Sequence, residues 1–241
     1  MTATPARAAR LRDASVLVVG AGALGCAAAR TLAAAGIGHL TLVDHDRVEL
    51  SNLHRQLLHE EADIGRLKID SARAALEAHH PDVEITTVAC RLDPDNAATL
   101  FGTHACVIDA TDGLDTKFML NDEAVRCRRP LIHGGVVRLL GQLMTILPYE
   151  SACYRCLFGA PPPAADVPSC QEAGVLGPLA VAIGTLQAAE AIRLVTGNGT
   201  LLTNRLLTFD ALRGRWRTVK LRRNQACGAC GSCGAKAAAL L

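Results

Sequence analysis

The sequence has almost no excess of charge of either sign. Its 25 lysines and arginines nearly balance its 23 aspartates and glutamates, so the net charge is +2. Nucleic acids and anionic membranes attract proteins that carry a large positive excess, so the sequence predicts neither kind of partner. Basic residues do alternate along an expected strand near the C-terminus, and we predict that they form one solvated face of a sheet: Arg213, Arg215, Arg217, Lys220, Arg222 and Arg223.

The N-terminal region lacks an uninterrupted apolar run. Residues 16–43 are largely apolar and follow three arginines, as in a signal peptide, but five glycines, Arg30 and His39 interrupt them. Helix-like and strand-like segments also alternate within this stretch. A buried strand–helix–strand unit explains these features better than an export signal or a membrane span. We therefore expect a cytoplasmic protein without a membrane partner.

The sequence also lacks an internal repeat and a clear boundary between two domains. A chain of 241 residues, half of them hydrophobic, can bury one large core. We therefore predict a single domain over residues 1–241.

Strand-like and helix-like segments alternate along the first half of the chain. This order is typical of βαβ crossovers and of a mainly parallel sheet. The expected strands are Ser15–Val19, His39–Val43, Val83–Val88, Ala105–Asp109 and Leu131–His133, and the expected helices are Ala23–Ala35, Lys68–His79, Pro94–Phe101 and Leu114–Arg126.

The pattern changes after Gly134-Gly135. Residues 136–147 and 201–221 contain strand-like runs without intervening helices, which indicates antiparallel additions to the same sheet. Between them lie a proline-rich crossover loop at 159–169 and a long apolar helix at 174–196. The sequence thus predicts an α/β fold with a Rossmann-like, mainly parallel sheet that antiparallel strands extend.

A glycine-rich segment follows the first expected strand and opens the first expected helix. Gly20, Gly22 and Gly25 would let the backbone turn beside a phosphate, and the helix N-terminus offers free N–H groups. Asp44 closes the second strand, at a spacing that suits a carboxylate that binds ribose. This order favours nucleotide binding over simple close packing of the helix on the sheet. The motif alone does not distinguish NAD from ATP.

The polar segment after the second strand favours ATP. If Ser51 caps a short helix, Asn52, Arg55 and Gln56 lie on one face and can contact a triphosphate. Lys68 follows and can neutralise further phosphate charge.

Ten cysteines are many for a cytoplasmic protein. A disulfide framework is not expected, because the chain is not a small secreted scaffold. Two CxxC pairs, Cys153 with Cys156 and Cys227 with Cys230, can hold a structural Zn²⁺ ion in tetrahedral geometry. Cys233 offers Cys230 a second possible partner, so the C-terminal ligand choice stays open. We predict that four other cysteines lie in helices or strands as small core residues: Cys26, Cys90, Cys106 and Cys127.

Cys170 follows the proline-rich segment and precedes the expected long helix. A helix N-terminus favours the thiolate form, and a flexible loop can bring the sulfur to an activated acyl group. Two interpretations stay open: a nucleophile or sulfur relay, and a thiol with no catalytic role.

Taken in order, these motifs resemble those of the ThiF/MoeB/HesA family of E1-like adenylyltransferases. The matching segments are Gly20–Gly25, DHDRVELSNLHRQ at 44–56, Gly65–Lys68, Ala110–Asp112, Cys153–Cys156, Cys170 with the following EAGVLGPL, and the C-terminal cysteines. The resemblance spans residues 16–230. It implies an E1-like adenylation domain that uses ATP to activate the C-terminal carboxylate of a small ubiquitin-like carrier protein ending in Gly-Gly.

The resemblance also implies residue roles and partners. Asp112 would bind the catalytic Mg²⁺, with Asp109 as the alternative ligand, and Cys170 would form an acyl-disulfide or a thioester. The protein would be a homodimer that serves thiamine, molybdopterin or another sulfur-incorporation pathway. ATP would be held by a ribose-binding acid and three phosphate-binding residues: Asp44, Asn52, Arg55 and Lys68.

The sequence departs from the family pattern at two points. It lacks the N-terminal Arg-Tyr-x-Arg-Gln arm that reaches the neighbouring subunit's ATP, and Arg7, Arg10 and Arg12 are the candidates to replace it. Gly113 stands where an asparagine commonly follows the metal-binding acid. Two alternative functions remain: adenylation of a peptide or small-molecule carboxylate, and a catalytically impaired binding scaffold. No rhodanese-like extension follows residue 230, so we expect a separate sulfur donor protein.

Overall fold

The computed structural model describes residues 5–162 and 174–231. The strands are β1 (Ser15–Val19), β2 (His39–Val43), β3 (Glu84–Val88), β4 (Cys106–Asp109), β5 (Leu131–Val137), β6 (Leu140–Ile146), β7 (Arg205–Asp210) and β8 (Arg215–Lys220). Within the described residues, these strands form one eight-stranded sheet with the order β3-β2-β1-β4-β5-β6-β7-β8.

The helices cover both faces of this sheet. They are α1 (Pro5–Arg12), α2 (Ala23–Ala34), α3 (Lys68–His79), α4 (Pro94–Gly102), α5 (Leu114–Arg126), α6 (Tyr154–Phe158) and α7 (Gly177–Thr196), and short 3-10 helices lie at Leu50–Asn52 and Glu61–Asp63.

The sheet has a parallel half and an antiparallel half. The five strands from β3 to β5 pair in parallel, and β6, β7 and β8 add antiparallel to them. The predicted fold class is therefore confirmed. β1 and β4 lie inside the sheet and are short, mostly apolar and largely buried, because helices cover both faces of a parallel sheet.

Alternate residues of β1 belong to two different cores. Val16 and Val18 pack in the core that contains residues of α2 and α7. Leu17 and Val19 pack in the core that contains residues of α4, α5 and α6. This alternation follows from the two-residue period of a strand, and it fixes which helices lie on which face.

β5 is longer than the sequence predicts. It continues through Gly134 and Gly135 to Val137, because β6 pairs with it antiparallel along its whole length. β5 is therefore the strand at which the sheet changes from parallel to antiparallel pairing.

α7 is the apolar helix that the sequence predicts, although it begins at Gly177. By length and composition alone it could cross a membrane, and it is the one such helix in the described part of the chain. Half of its most apolar 18-residue stretch is buried. The helix packs against α2, β5 and β6. β8 is the edge strand after β7, and its residues are largely exposed on both faces and not on one face as predicted. Arg215, Arg217 and Lys220 lie in β8, whereas Arg213, Arg222 and Arg223 lie outside it.

Candidate active site

A cavity of about 640 Å³ opens at the carboxyl ends of β1, β2 and β4. In the sheet β1 lies between β2 and β4, so the strand order reverses there, which is where open parallel sheets bind ligands. Among the residues predicted to bind nucleotide or magnesium, Gly25 and the alternative magnesium ligand Asp109 do not line the cavity. The others line the cavity: Gly20, Gly22, Asp44, Asn52, Arg55, Gln56, Lys68 and Asp112.

The backbone between β1 and α2 depends on two glycines. Gly20 has a φ of +97°, and a Cβ there would lie 2.7 Å from the carbonyl oxygen of Ala110. A Cβ on Gly25 would lie 1.8 Å from the carbonyl oxygen of Gly20. These two glycines therefore allow α2 to begin close to the strand ends. A Cβ on Gly22 would meet only the Gln56 amide, at 3.9 Å, so this position leaves room on the cavity side.

Asp44 lies just after β2 and joins two loops. One carboxylate oxygen accepts the Ala21 N–H at 2.6 Å, and the other accepts the Asp46 N–H at 2.8 Å. Each carboxylate oxygen has a second lone pair, so Asp44 can still accept hydrogen bonds from ribose hydroxyls. Its contact with ribose stays a prediction.

The polar segment after β2 brings three side chains together without the predicted cap. Ser51 lies inside the 3-10 helix and its hydroxyl donates to Glu49 at 3.3 Å, so the capping prediction is wrong. Asn52 Oδ1 accepts from Arg55 Nη2 at 2.9 Å and from Gln56 Nε2 at 3.3 Å. These bonds hold the guanidinium of Arg55 at the cavity wall.

Lys68 is a buried cation at the rim of the cavity. Its side chain is only 8% exposed and donates to Asp46 at 2.8 Å, whereas the Asp46 side chain is 53% exposed. Burial raises the pKa of Asp46, but the hydrogen bond and the charge of Lys68 outweigh burial and hold the pKa below its usual value. Because water reaches the carboxylate, an entering phosphate can replace it as the partner of Lys68.

Asp109 lies fully buried at the end of β4. Its carboxylate accepts from Lys117 Nζ at 3.1 Å, from His133 Nδ1 at 2.8 Å, and from the N–H and the hydroxyl of Thr111. Burial raises the pKa of Asp109, but the charge of Lys117 and the hydrogen bond from His133 hold it well below its usual range. The acceptor sites of Asp109 are thus taken, whereas Asp112 is exposed and lines the cavity.

The sequence reasoning missed Lys117 and His133. His133 is the register partner of Asp109 between β4 and β5. Lys117 reaches the same carboxylate from α5 and also donates to the Gly134 carbonyl at 2.7 Å. An aspartate at the end of an apolar strand needs buried hydrogen-bond or ionic partners. This requirement is the one feature of the sequence that indicates that such partners exist.

Cys90 was predicted to lie in a helix or strand, and this prediction is wrong. β3 ends at Val88, and Cys90 lies in the loop that follows, half-buried and on the cavity wall. Cys26 and Cys106 are fully buried as predicted, and burial raises the pKa of each thiol to about 12. The prediction for Cys127 is also wrong, because this residue lies directly after α5, outside any helix or strand, and is half-buried.

Four cysteines come together on the face of the sheet that α5 covers. The Sγ atoms of Cys153 and Cys227 lie 3.6 Å apart, and those of Cys156 and Cys230 lie 3.4 Å apart. All four sulfurs lie within 4.8 Å of one another. Four sulfurs bound to a tetrahedral Zn²⁺ ion at about 2.3 Å would be about 3.8 Å apart, so the cluster fits this ion.

Groups around the cluster also orient the ligands. The Asn224 N–H donates to Cys156 Sγ at 3.4 Å, and Arg223 Nε donates to the Cys230 carbonyl at 3.0 Å. Such outer contacts are typical of metal sites. The predicted roles of Cys170 and of Cys233 concern positions outside the described residues.

The ThiF family matches residues 2–229 of this sequence. The chain belongs to the ThiF family. It is 46% identical over 217 residues to the adenylyltransferase and sulfurtransferase MOCS3 of Culex quinquefasciatus, with 90% of this chain and 50% of that protein covered. It is also 46% identical over 213 residues to MOCS3-1 of Zea mays, with 88% and 46% covered. The chain thus spans about half the length of the curated relatives it matches.

Solved structures share this fold over nearly all of the chain. Escherichia coli MccB with MccA-N7isoASN has a TM-score of 0.85 at 20% identity, with 94% of this chain and 70% of that chain covered. MccB with ATP has a TM-score of 0.83 at 21% identity, with 94% and 69% covered. At these identities the likeness shows the fold alone.

The arginines of α1 lie away from the cavity of their own chain. Arg10 donates to the carbonyl of Thr196, the last residue of α7. The other end of α7 lies at the cavity, and a helix of 20 residues is about 30 Å long. None of Arg7, Arg10 and Arg12 is among the described residues that line the cavity of their own chain. Their contact with a second subunit's ATP stays a prediction.

Proposed function

We propose that this chain uses ATP and Mg²⁺ to adenylate the C-terminal carboxylate of a small ubiquitin-like carrier protein. One observation supports this most strongly: a single cavity combines the glycine loop and the ribose-type acid Asp44 with Arg55, Lys68 and the exposed Asp112. A nucleotide that leaves its triphosphate next to Arg55 and Lys68 matches this arrangement better than NAD. The names of the relatives, which include adenylyltransferase, agree with it.

Adenylation joins a carboxylate oxygen to the α-phosphorus of ATP and releases pyrophosphate. A C-terminal carboxylate is ionised at neutral pH, so the reaction needs no general base from the protein. Negative charge grows on the departing pyrophosphate. Arg55 and Lys68 would stabilise that charge, because both are held at the wall before the reaction begins.

Asp112 would hold Mg²⁺, because it is the exposed carboxylate at the end of the β4 loop. A bound Mg²⁺ ion supplies charge neutralisation and orientation of the phosphates. Thr111 bonds Asp109 through its N–H and its hydroxyl, which fixes the backbone directly before Asp112.

Cys153, Cys156, Cys227 and Cys230 would hold a structural Zn²⁺ ion. Four cysteine ligands fill a tetrahedral site, so no position remains for a substrate. The ion would join the segment after β6 to the segment after β8. Its role would be to stabilise the fold and not to react.

Cys170 would act after adenylation, by attack of its thiolate on the acyl adenylate with release of AMP. The names of the relatives combine adenylyltransferase with sulfurtransferase, which agrees with a later sulfur step. A separate protein would deliver the sulfur. In a homodimer, a second copy of the chain would supply an arginine from its N-terminal segment to this ATP site: Arg7, Arg10 or Arg12.

Pyrophosphate exchange tests the proposal directly. The purified chain is incubated with ATP, Mg²⁺, labelled pyrophosphate and a panel of carriers that end in Gly-Gly. We expect carrier-dependent exchange in the wild type and a loss of more than about a hundredfold in Asp112→Ala, with an unchanged melting temperature. Cys170→Ala is the matched control and should keep exchange within about threefold, because the first step needs no thiol.

Other outcomes contradict the proposal. Exchange that depends on small carboxylic acids or short peptides and not on any carrier would favour the alternative substrates. NAD binding by calorimetry with no response to ATP and Mg²⁺ would overturn the adenylation reaction itself. A covalent carrier adduct that persists in Cys170→Ala, seen by mass spectrometry without reductant, would place the later step on another thiol.

A further inference from the structure

Gln142 lines the end of the cavity that lies far from the nucleotide-type residues. It is the third residue of β6, which stands four strands from β2 in the sheet. Neighbouring strands are about 4.8 Å apart, so about 19 Å separates β6 from the strand that ends before Asp44. A nucleotide bound at Asp44 and the glycine loop therefore leaves the Gln142 end for the second substrate.

The side chain of Gln142 crosses the face of β5 because its neighbour there has no side chain. Gly135 is the register partner of Gln142, and a Cβ on Gly135 would lie 3.1 Å from Gln142 Nε2. His133 precedes Gly135 by two residues and so presents its side chain on the same face of β5. The distance from Gln142 Nε2 to His133 Nε2 is 3.3 Å.

The charge of Asp109 determines the orientation of the Gln142 amide. His133 Nδ1 lies 2.8 Å from the ionised Asp109 carboxylate and must donate its proton to it. Burial lowers the pKa of His133, so the ring is neutral and its Nε2 is an acceptor. Gln142 must then present its NH₂ group to His133, which turns Oε1 away from the ring. Within the described residues, this Oε1 has no hydrogen-bond partner.

The surroundings of Gln142 indicate what kind of group would meet this oxygen. The neighbouring wall residues at this end are small or apolar: Gly135, Val136, Val137, Val175 and Ala180. Val175 is held at this end by a β-bridge to Arg138, the residue at the β5–β6 turn. Lys117 also lines the cavity, but its ammonium donates to Asp109 and to the Gly134 carbonyl. A space with a free acceptor and no unpaired charge suits an extended main chain, whose peptide N–H groups are donors, better than another phosphate.

We propose that Gln142 recognises the peptide main chain directly before the reacting carboxylate. Its Oε1 accepts a peptide N–H of the carrier's C-terminal segment, and His133 acts as a positioning residue that holds the amide in this orientation. The inference rests on the proposed adenylation and adds a specificity residue to it. A simple carboxylic acid has no peptide N–H and gains nothing from this contact.

The test uses pyrophosphate exchange with the Gly-Gly carrier that gives the highest wild-type rate. Three semisynthetic copies of this carrier each replace one of the last three peptide bonds by an ester, which removes one N–H. The variant is Gln142→Met, which keeps the length of the side chain and removes the amide. We expect the KM for the native carrier to rise about tenfold in the variant, as for one lost hydrogen bond, while the KM for ATP changes less than about twofold.

The ester carriers show whether the contact is direct. One of them should raise the wild-type KM about tenfold, and the same ester should have no further effect in Gln142→Met. His133→Asn should reproduce the tenfold rise in the carrier KM, and the double variant His133→Asn with Gln142→Met should be no worse than either single variant. A purely structural role of His133 would instead raise both KM values.

Four results would overturn the assignment. If every ester has the same effect in the wild type and in Gln142→Met, the amide does not accept the carrier's N–H. If Gln142→Met raises the KM for ATP as much as that for the carrier, the residue belongs to the nucleotide end. If no carrier supports exchange in the wild type, the proposed adenylation fails and this assignment fails with it, whereas exchange with unchanged KM values removes the assignment alone.

Discussion

The two lysines that line the cavity are paired with aspartates in opposite ways. At the rim, Lys68 bonds Asp46, whose side chain is 53% exposed. Deeper in the wall, Lys117 bonds Asp109, which is fully buried and also accepts a hydrogen bond from His133. We call these three residues the floor. Water and ions reach the carboxylate of the rim pair, and they do not reach the carboxylate of the floor pair.

This difference separates groups that can meet a ligand from groups that hold the wall. An ion pair with an exposed partner contributes about 0–1 kcal/mol, so exchange of Asp46 for a phosphate is easy. Breaking a buried pair leaves an uncompensated charge and costs about 3–5 kcal/mol. The cysteine cluster resembles the buried Lys117–Asp109 pair in this respect, because three of its four cysteines are buried.

The largest expected effect concerns the cysteine cluster. Cys153→Ser removes one of four ligands, so zinc content should fall from about one per chain to near zero. The free energy of unfolding should fall by at least about 3 kcal/mol, because metal binding is coupled to folding. Elemental analysis and urea unfolding measure the two effects.

Cys127→Ser is the matched control for this variant. Cys127 is half-buried and lies outside the cluster, so we expect a change of less than about 1 kcal/mol. Protein purified without added metal that holds less than about half an equivalent of zinc, and that loses no stability in Cys153→Ser, would contradict a structural site.

The second effect compares the same substitution at the rim and at the floor. Lys117→Met should lower the free energy of unfolding by about 3–5 kcal/mol, because it leaves Asp109 buried without its cation. Lys68→Met should lower it by less than about 1 kcal/mol, since solvent screens the Asp46 partner. The same rim variant should lose more than about a hundredfold in pyrophosphate exchange. Equal destabilisation by the two variants would remove the distinction between rim and floor.

The smallest expected effect is a dependence of stability on pH. Burial lowers the pKa of His104, which bonds the Leu100 carbonyl and Thr41, so the ring is neutral in the folded chain. The unfolded chain binds a proton at the ordinary pKa of about 6.5. The stability of the folded state should therefore fall as pH drops below about 6.5.

His104→Gln removes one of these buried imidazoles and should reduce that slope by at most about 1.4 kcal/mol per pH unit, the limit for one proton. The remaining slope would come from His133 at the floor and from His59, whose pKa burial also lowers. Urea unfolding at a series of pH values measures the slopes. Identical slopes in the wild type and in His104→Gln would show that His104 does not titrate in this window.

Much of the fold could be predicted because its signals are local. The elements Ser15–Val19, His39–Val43, Lys68–His79 and Leu114–Arg126 agree with the structure residue by residue. β5 was predicted too short, because two glycines in sequence disfavour a strand. Their strand conformation depends on β6 and on the close approach of Gln187, which would meet a Cβ on Gly134 at 2.4 Å.

The candidate site divides in the same way. At the rim, Asp46 follows β2 within a short polar segment and Lys68 begins the next α-helix, so these residues could be picked out from the sequence. The floor depends on a register between two strands, Asp109 opposite His133, and on a lysine that a helix brings back to them. No short spacing records such a register, so Lys117 and His133 could not be assigned from the sequence alone.

With an ion bound, the cysteine cluster closes a loop of chain that runs from Cys153 to Cys230. That loop carries α7, which lies against the cavity, and the two outer strands β7 and β8. Fixing the ends of a long loop removes more conformational freedom from the unfolded chain than fixing those of a short one. The folded population then rises with the supply of zinc by mass action. Under zinc limitation, fewer chains would present a complete cavity although no residue within it had changed.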